Sequence, residues 1–443
     1  MNPVQHYTAE GRHAAPKYAC AIAALLLCCI VLFGCDRTPP GDDVTDQAAE
    51  TSEVTTAEPA EGLTEDRSEA PTEEDTAAEP EETTEEPTEE NTTADPNAPD
   101  ERPADKDCYK SETKLFNKST MLSANEFEGE FNSVYFKNHG LMLMPGATEG
   151  SFVSDEIDLG GPFRNMLASW NASSAGGTVE ISVSVKLDDG SFTGWYSWGE
   201  WSAIPETSGS KSTKDAYGEV GIDILTLKKE CQGIVKFRVD IRQLGDLSPI
   251  VYNVTLACDK ENSALKAPAD TYKKLDVPYR RQQDVPEIGG SICSATSLSM
   301  VLLYHGEENL DVADVAWSVR DYGEGIFGNW AFNVAHAGER GYNAYIDYFD
   351  IDAIKYAIST GHPIVSSIRV KAGQLSASGY PGYSTNGHLI CVVGYEEKNG
   401  QKWLLINDPA HPEVKAILES DFRTIYRGVS YIVQKRPDVP LAE

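Results

Sequence analysis

The 443-residue sequence predicts an α+β domain preceded by an antiparallel β-sandwich of jelly-roll type and a disordered acidic linker. Three observations lead there. A stretch of Thr, Glu, Pro, Asp and Ala separates an apolar N-terminus from the rest. Short alternating runs broken by Gly, Asp and Ser occupy the middle of the chain. Helical patterns followed by apolar strands fill the last third.

Residues 1–35 read as a targeting segment rather than part of a fold. Arg12 and Lys17 supply a short positive region, and Tyr18 to Gly34 is apolar, ending in Leu32-Phe33-Gly34-Cys35. That ending resembles the lipobox of bacterial lipoproteins. The resemblance implies cleavage before Cys35, lipidation of its sulfur, and a chain exported and lipid-anchored to the outer face of the cell membrane. Two acyl chains suffice for stable anchoring, since each buried methylene contributes about 0.8 kcal/mol. The alternative is an uncleaved transmembrane anchor, which equally places the rest outside the cytoplasm.

Residues 36–106 form the linker. They hold 25 acidic residues against 4 basic ones, a net charge of −21 out of −33 for the whole chain. With almost no apolar side chains, nothing offsets the entropy of ordering, and like charges extend the segment into a tether. The remainder is only mildly acidic, so charge does not identify the substrate. The overall balance excludes nucleic acid and anionic membrane surfaces as main partners.

Residues 107–262 carry the sandwich pattern. Thr178–Val185 alternates with period two and runs into the turn Asp188-Asp189-Gly190; similar runs occur at Ile234–Ile241 and Ile250–Ala257. Trp170, Trp195, Trp198 and Trp201 read mainly as core or interface residues, with a sugar-stacking platform as the sharper alternative. On that alternative the domain is a candidate for contacting a cell-wall polymer. Cys231 and Cys258 fall near strand ends and are candidates for a disulfide.

After a linker around Ser263–Asp270, residues 270–436 form the α+β domain. Helices are expected at Ser294–His305, Val312–Val319, Asn329–Arg340 and Ile351–Ser359. In the first of them Leu298, Val301 and Leu302 mark one apolar face. Strands follow at Ile364–Val370, His388–Tyr395, Lys402–Ile406 and Val429–Gln434.

Of nine cysteines, Cys20, Cys28 and Cys29 leave with the signal and Cys35 is lipidated. Cys108, Cys231, Cys258, Cys293 and Cys391 remain, and an odd number in an exported chain leaves a free thiol to explain. Cys391 lies inside an apolar strand and reads as inert core. Cys293 lies where Gly289-Gly290-Ser291-Ile292 gives way to a helix. A thiol there feels the positive end of the helix dipole and free backbone N–H groups, both of which favour thiolate. Alone, it reads equally as a buried structural cysteine. His388, however, stands at the junction of a glycine-rich loop and a buried strand, positioned to face a cleft. Asp408 lies at the end of the next strand, in Asn407-Asp408-Pro409, where a carboxylate can accept the imidazole N–H. Asn407 is its rival, but strand alternation sends it to the opposite face. Upstream, Gln282 or Gln283 offers an amide donor for an oxyanion. His305, His336, His362 and His411 lack metal-ligand spacing, so neither a metal nor another cofactor is expected.

The order Gln, Cys, His, Asp is that of the papain architecture. The segment from Val277 to about Val433 resembles the bacterial peptidases related to the bacteriocin-processing, double-glycine-leader enzymes. The matching motifs are Val277-Pro278-Tyr279 leading to Gln282, Cys293 to Leu302, Gly328-Asn329-Trp330, Gly387-His388-Leu389-Ile390 and Asn407-Asp408-Pro409-Ala410. The resemblance implies Cys293 as nucleophile, His388 as base, Asp408 as orienting acid and Gln282 as oxyanion donor. The loop between Gln282 and Cys293 is longer than in those enzymes, which leaves Gln283 open. The segment with Ser169-Trp170-Asn171 is similar to the accessory domain that precedes such peptidases. No transporter segment follows, so the export role of the name-giving enzymes is not carried over. The expected function is a surface-anchored thiol hydrolase acting on peptide or isopeptide bonds. The alternatives are a catalytically silent adhesion or binding lipoprotein, and an acyl or amide transferase using the same residues.

Overall fold

The computed structural model describes residues 115–436 except 138, 175 and 262. The targeting segment, Cys35, the acidic linker and Cys108 lie outside the described residues. Among the described residues three antiparallel sheets dominate, of eight, six and seven strands. The first two are built from residues 119–258, and the third, with five helices, from residues 272–435. Buried apolar side chains of all three sheets belong to one contiguous core.

Strand alternation explains the first two sheets. In Ile234–Gln243, Val235, Phe237, Val239 and Ile241 are buried, while Lys236, Arg238 and Asp240 between them are half-buried. The neighbouring strand Gly177–Val185 departs from its alternating sequence, because Ser182 and Ser184 are buried as well. It lies between Ile234–Gln243 and Tyr196–Trp201, and Ser184 Oγ donates to the Thr193 carbonyl at 2.7 Å. Trp170, Trp198 and Trp201 are fully buried and Trp195 is exposed.

Cys231 and Cys258 are both free thiols, so the candidate disulfide does not form. Topology gives the reason. The strand Phe163–Ser173 runs between their two strands, with Cys231 opposite Phe163 and Cys258 opposite Met166. Two strand spacings alone separate them by roughly 10 Å, beyond the reach of a disulfide.

The third sheet runs in the order Tyr342–Tyr348, Tyr426–Lys435, Ile364–Val370, Thr385–Lys398, Gln401–Asn407 and Ala416–Leu418. Tyr272–Lys274 joins it on Thr385–Lys398. The helices are α1 (Cys293–Tyr304), α2 (Val312–Ser318), α3 (Trp330–Glu339), α4 (Ile351–Ser359) and α5 (Glu419–Ile425). The single apolar face expected of α1 is not found: every residue from Ser294 to Leu302 is buried. The helix packs against Thr385–Lys398 on one side and against α2 and α3 on others. Its hydroxyls are accommodated by hydrogen bonds, Ser297 Oγ donating to the Leu389 carbonyl (3.2 Å) and Ser299 Oγ to Ala295 O (2.8 Å).

Tyr342–Tyr348 is an edge strand of the third sheet, and its free side is met by side chains of the first. Asn171 donates from Nδ2 to Ala344 O (2.7 Å) and accepts from Ala344 N (3.0 Å), standing in for a strand. Ser169 Oγ accepts from Ile346 N at 3.1 Å. On α3, Gly338 lies so close that a Cβ would come within 2.7 Å of the Asn171 Cα, so only glycine fits. Buried Asp347 accepts from the backbone of Asn117 (2.7 Å) and Lys118 (3.0 Å), and buried Asp321 accepts from the backbone of Ser210 at 3.0 Å. Asn171→Ala orphans both polar groups of Ala344. It should therefore destabilise the protein by about 2–4 kcal/mol, read as a lowered midpoint in urea unfolding followed by tryptophan fluorescence.

Candidate active site

Cys293 is the first residue of α1, and the preceding Ile292 has no side-chain acceptor to cap the helix. The N-terminal N–H groups are thus free to act on the sulfur. The approach is set by Gly289, where a Cβ would lie 2.5 Å from the Gln282 carbonyl oxygen. Its absence lets the loop fold back on the short 3-10 turn Gln282–Asp284.

His388 is buried near the start of Thr385–Lys398, opposite Ile368. Its Nε2 donates to Asp408 Oδ1 at 2.7 Å. That leaves Nδ1 for a partner on the other side of the ring, and Cys293 lines the same cleft, near enough for the two groups to act on each other's charge. Asp408 is buried and saturated with donors: Tyr383 OH on Oδ2 at 2.7 Å, and the backbone N–H of Ala410 (2.9 Å) and His411 (3.2 Å) on Oδ1. Asn407 turns the other way and donates from Nδ2 to Val277 O at 3.0 Å. Gln282 is buried, and its Nε2 donates to Gly289 O at 2.6 Å, leaving a second N–H on the same nitrogen. Gln283 is exposed beside it.

The electrostatics follow from these contacts. Burial penalises a charged thiolate at Cys293, but the hydrogen bond and charge of His388, with the N–H groups of Leu389 and Ser294, outweigh it and lower its pKa. Burial likewise opposes an imidazolium at His388, yet its bonds to Asp408 and Cys293 raise its pKa. Asp408 is held below the usual carboxylate range: desolvation opposes ionisation, but His388, Tyr383 and Ala410 more than offset it. The arrangement favours a thiolate–imidazolium pair beside a fixed carboxylate. Cys391, by contrast, is fully buried and its thiol is pushed up by desolvation alone.

Cys293, His388, Gln282 and Gln283 line one open cleft of about 550 Å³, together with Trp330, Tyr383, Arg427 and Asp223. Trp330 belongs to the motif Gly328-Asn329-Trp330, where the sequence leaves cleft lining and packing open, whereas Tyr383, Arg427 and Asp223 lie beyond the site residues the sequence indicates. Tyr383 sits in a Gly- and Ser-rich loop with no periodic signal, and Asp223 comes from the first sheet, more than fifty residues upstream of Gln282. Among the described residues, no group of three or more His, Cys, Asp or Glu is placed to hold a metal.

A thiol at a helix start, a histidine on the facing sheet and a carboxylate behind it are the parts of a cysteine peptidase, and the C-terminal domain is one. Residues 274–433 match the model of the Peptidase_C39 like family. Residues 147–258 match that of the Peptidase C39 N-terminal domain. No curated protein matches the chain. Among solved structures it is similar to the peptidase domain of Streptococcus ComA, a bi-functional ABC transporter involved in a quorum-sensing pathway. That likeness has 22% identity and a TM-score of 0.26, over 34% of this chain and 96% of that one. A second likeness is to xylellain, a cysteine protease from Xylella fastidiosa, with 13% identity and a TM-score of 0.24, over 39% and 87% of the two chains.

Tyr383→Phe removes one donor from Asp408, so the carboxylate pKa rises, Asp408 is protonated sooner as pH falls, and the imidazolium then loses its counter-charge. Because Cys293 is lowered and His388 raised, their ion pair exists between the two pKa values. Weakening it moves the acid limb upward. The rate of Cys293 alkylation by iodoacetamide, followed from pH 4 to 9, should show its rise at higher pH in Tyr383→Phe than in the wild type.

Proposed function

We propose that this chain is a surface-anchored cysteine peptidase that hydrolyses peptide or isopeptide bonds through an acyl-enzyme on Cys293. The observation that carries this reading is that His388, hydrogen-bonded to Asp408 through Nε2, shares one cleft with Cys293 and lies near enough to stabilise its thiolate. The Cys293 thiolate attacks the scissile carbonyl carbon, a C–S bond forms, and the carbonyl electron pair moves onto oxygen. The second N–H of Gln282 Nε2 and the N-terminal N–H groups of α1 stabilise that oxyanion. As the C–N bond breaks, His388 gives its Nδ1 proton to the leaving amine. Water then attacks the thioester while His388 takes its proton, and the C–S bond breaks to restore the thiolate. Asp408 holds the ring and its charge throughout.

In this reading residues 107–262 are a jelly-roll-like β-sandwich and residues 270–436 the papain-like domain. The sandwich supports the peptidase through Asn171 and Ser169. A polar groove around exposed Trp195 on the second sheet is where it would meet a cell-wall polymer. Residues 36–106 serve as a tether and Cys35 as the lipidated anchor.

Two outcomes test these roles. Turnover of a peptide library by the purified protein should be lost in Cys293→Ala, by about 10³-fold or more in kcat. Turnover unchanged in that variant would overturn the mechanism. Cys35→Ser in the full chain should move the protein from the membrane fraction to the medium or to a soluble fraction. Retention in the membrane would favour an uncleaved anchor.

A further inference from the structure

The cleft beside Cys293 holds two charged side chains that the mechanism does not use, Arg427 and Asp223. Arg427 lies at the start of Tyr426–Lys435 and is exposed to the cleft. Its guanidinium rests over the Trp330 ring, 5.4 Å from the centroid, and Nη1 reaches Ser367 Oγ at 3.4 Å. A guanidinium held over an indole face keeps its remaining N–H groups available to a ligand. Arg369 stands close enough for its charge to act on Arg427, and it spends its Nε on the Asn386 carbonyl at 2.9 Å.

Asp223 is the carboxylate that acts on Arg427, at too long a range for an ion pair. It is occupied elsewhere. One carboxylate oxygen accepts the Trp330 N–H at 2.6 Å, at the start of α3. Its own carbonyl accepts the Trp198 indole N–H at 2.8 Å, which pins the tip of the hairpin joining Gly218–Gly221 to Ile224–Cys231. Ile222 beside it has φ of 61°, a conformation that a β-branched residue adopts only when its surroundings hold it there. Asp223 therefore holds the platform on which Arg427 lies and does not neutralise it. Burial pushes its carboxyl up to about 7, against the Trp330 N–H and the Arg427 charge that favour ionisation, so it carries only part of a charge near neutrality. Arg427 stays fully charged.

We propose that Arg427, laid on Trp330 and unpaired in the cleft, is the specificity residue that takes a carboxylate of the substrate. The favoured substrate is then a peptide with an acidic side chain or a free carboxyl terminus near the scissile bond. The planar fork of an arginine suits a carboxylate better than a lysine would. This inference rests on Cys293 being the reacting thiol of the same cleft.

The experiment compares two small alkylating probes on the full chain, anionic iodoacetate and neutral iodoacetamide, with modification of Cys293 resolved by mass spectrometry. The quantity read is the ratio of the two rates in the wild type, Arg427→Gln and Arg427→Lys. His388 attracts iodoacetate equally in all three, so its contribution cancels. The ratio should fall about fivefold or more in Arg427→Gln, and Arg427→Lys should retain part of the preference. Equal ratios in the wild type and Arg427→Gln would overturn the proposal. The iodoacetamide rate separately reports the thiolate: if it does not exceed that of the unfolded chain, the peptidase reading fails, while the ratio still decides on Arg427. With matched peptides carrying Glu or Gln near the scissile bond, Arg427→Gln should raise KM for the Glu peptide by a clearly larger factor than for the Gln peptide, and equal factors would overturn the proposal.

Discussion

The hydrogen bond from His388 Nε2 to Asp408 belongs to a five-residue turn that reaches every part of the site. Asn407 fixes the chain at Val277, Asp408 fixes the imidazole, and the Pro409 carbonyl accepts the Gln282 N–H at 2.9 Å. The N–H groups of Ala410 and His411 return to the Asp408 carboxylate. A buried carboxylate is costly unless its lone pairs are filled, and here four donors fill them. One compact turn thus sets the orientation of the ring that meets Cys293 and the depth of the loop that carries Gln282. A proline at its centre ends the strand and commits the backbone to this geometry.

The first sheet is a structural part of the peptidase rather than an appendage. Side chains of Phe163–Ser173 complete the hydrogen bonding of Tyr342–Tyr348, and a hairpin of the same sheet places Asp223 in the cleft beside Cys293. Across the same boundary buried Asp347 accepts from the backbone N–H groups of Asn117 and Lys118, and buried Asp321 accepts from Ser210, its other donors being the local Gly323, Glu324 and Asn329. Such pairs contribute little net stability when intact, but losing one partner leaves a buried charge uncompensated. They fix the register of the two parts more than they drive their association.

Local pattern made much of this legible. The glycine-rich approach to Cys293, the loop-to-strand junction at His388 and the Pro-terminated strand at Asp408 are all signals within a few residues of the groups they position. Helix α4 and the strand Ile364–Val370 fall where the sequence indicates. What was not legible depends on distant partners. The burial of α1 on all sides comes from α2, α3 and the sheet together, none of which its own periodicity encodes. The strand Tyr342–Tyr348 is not among the strands expected from sequence, although its aromatic run after Gly341 carries a usable signal. Tyr383, Asp223 and Arg427 have no local signature; only the folded chain brings them to the cleft. The mismatch of Cys231 and Cys258 is of the same kind, since an intervening strand separates two thiols that look alike in sequence.

The central claim is that Cys293 and His388 stand as a thiolate–imidazolium pair in the resting protein. The most direct measurement is the 15N NMR spectrum of the His388 imidazole at neutral pH. Both ring nitrogens should carry protons in the wild type, and that state should persist above the usual histidine range. In Cys293→Ala, which removes the negative partner, the ring should lose its second proton at lower pH. A neutral His388 ring from pH 5 to 8 in the wild type, unchanged in Cys293→Ala, would contradict the account.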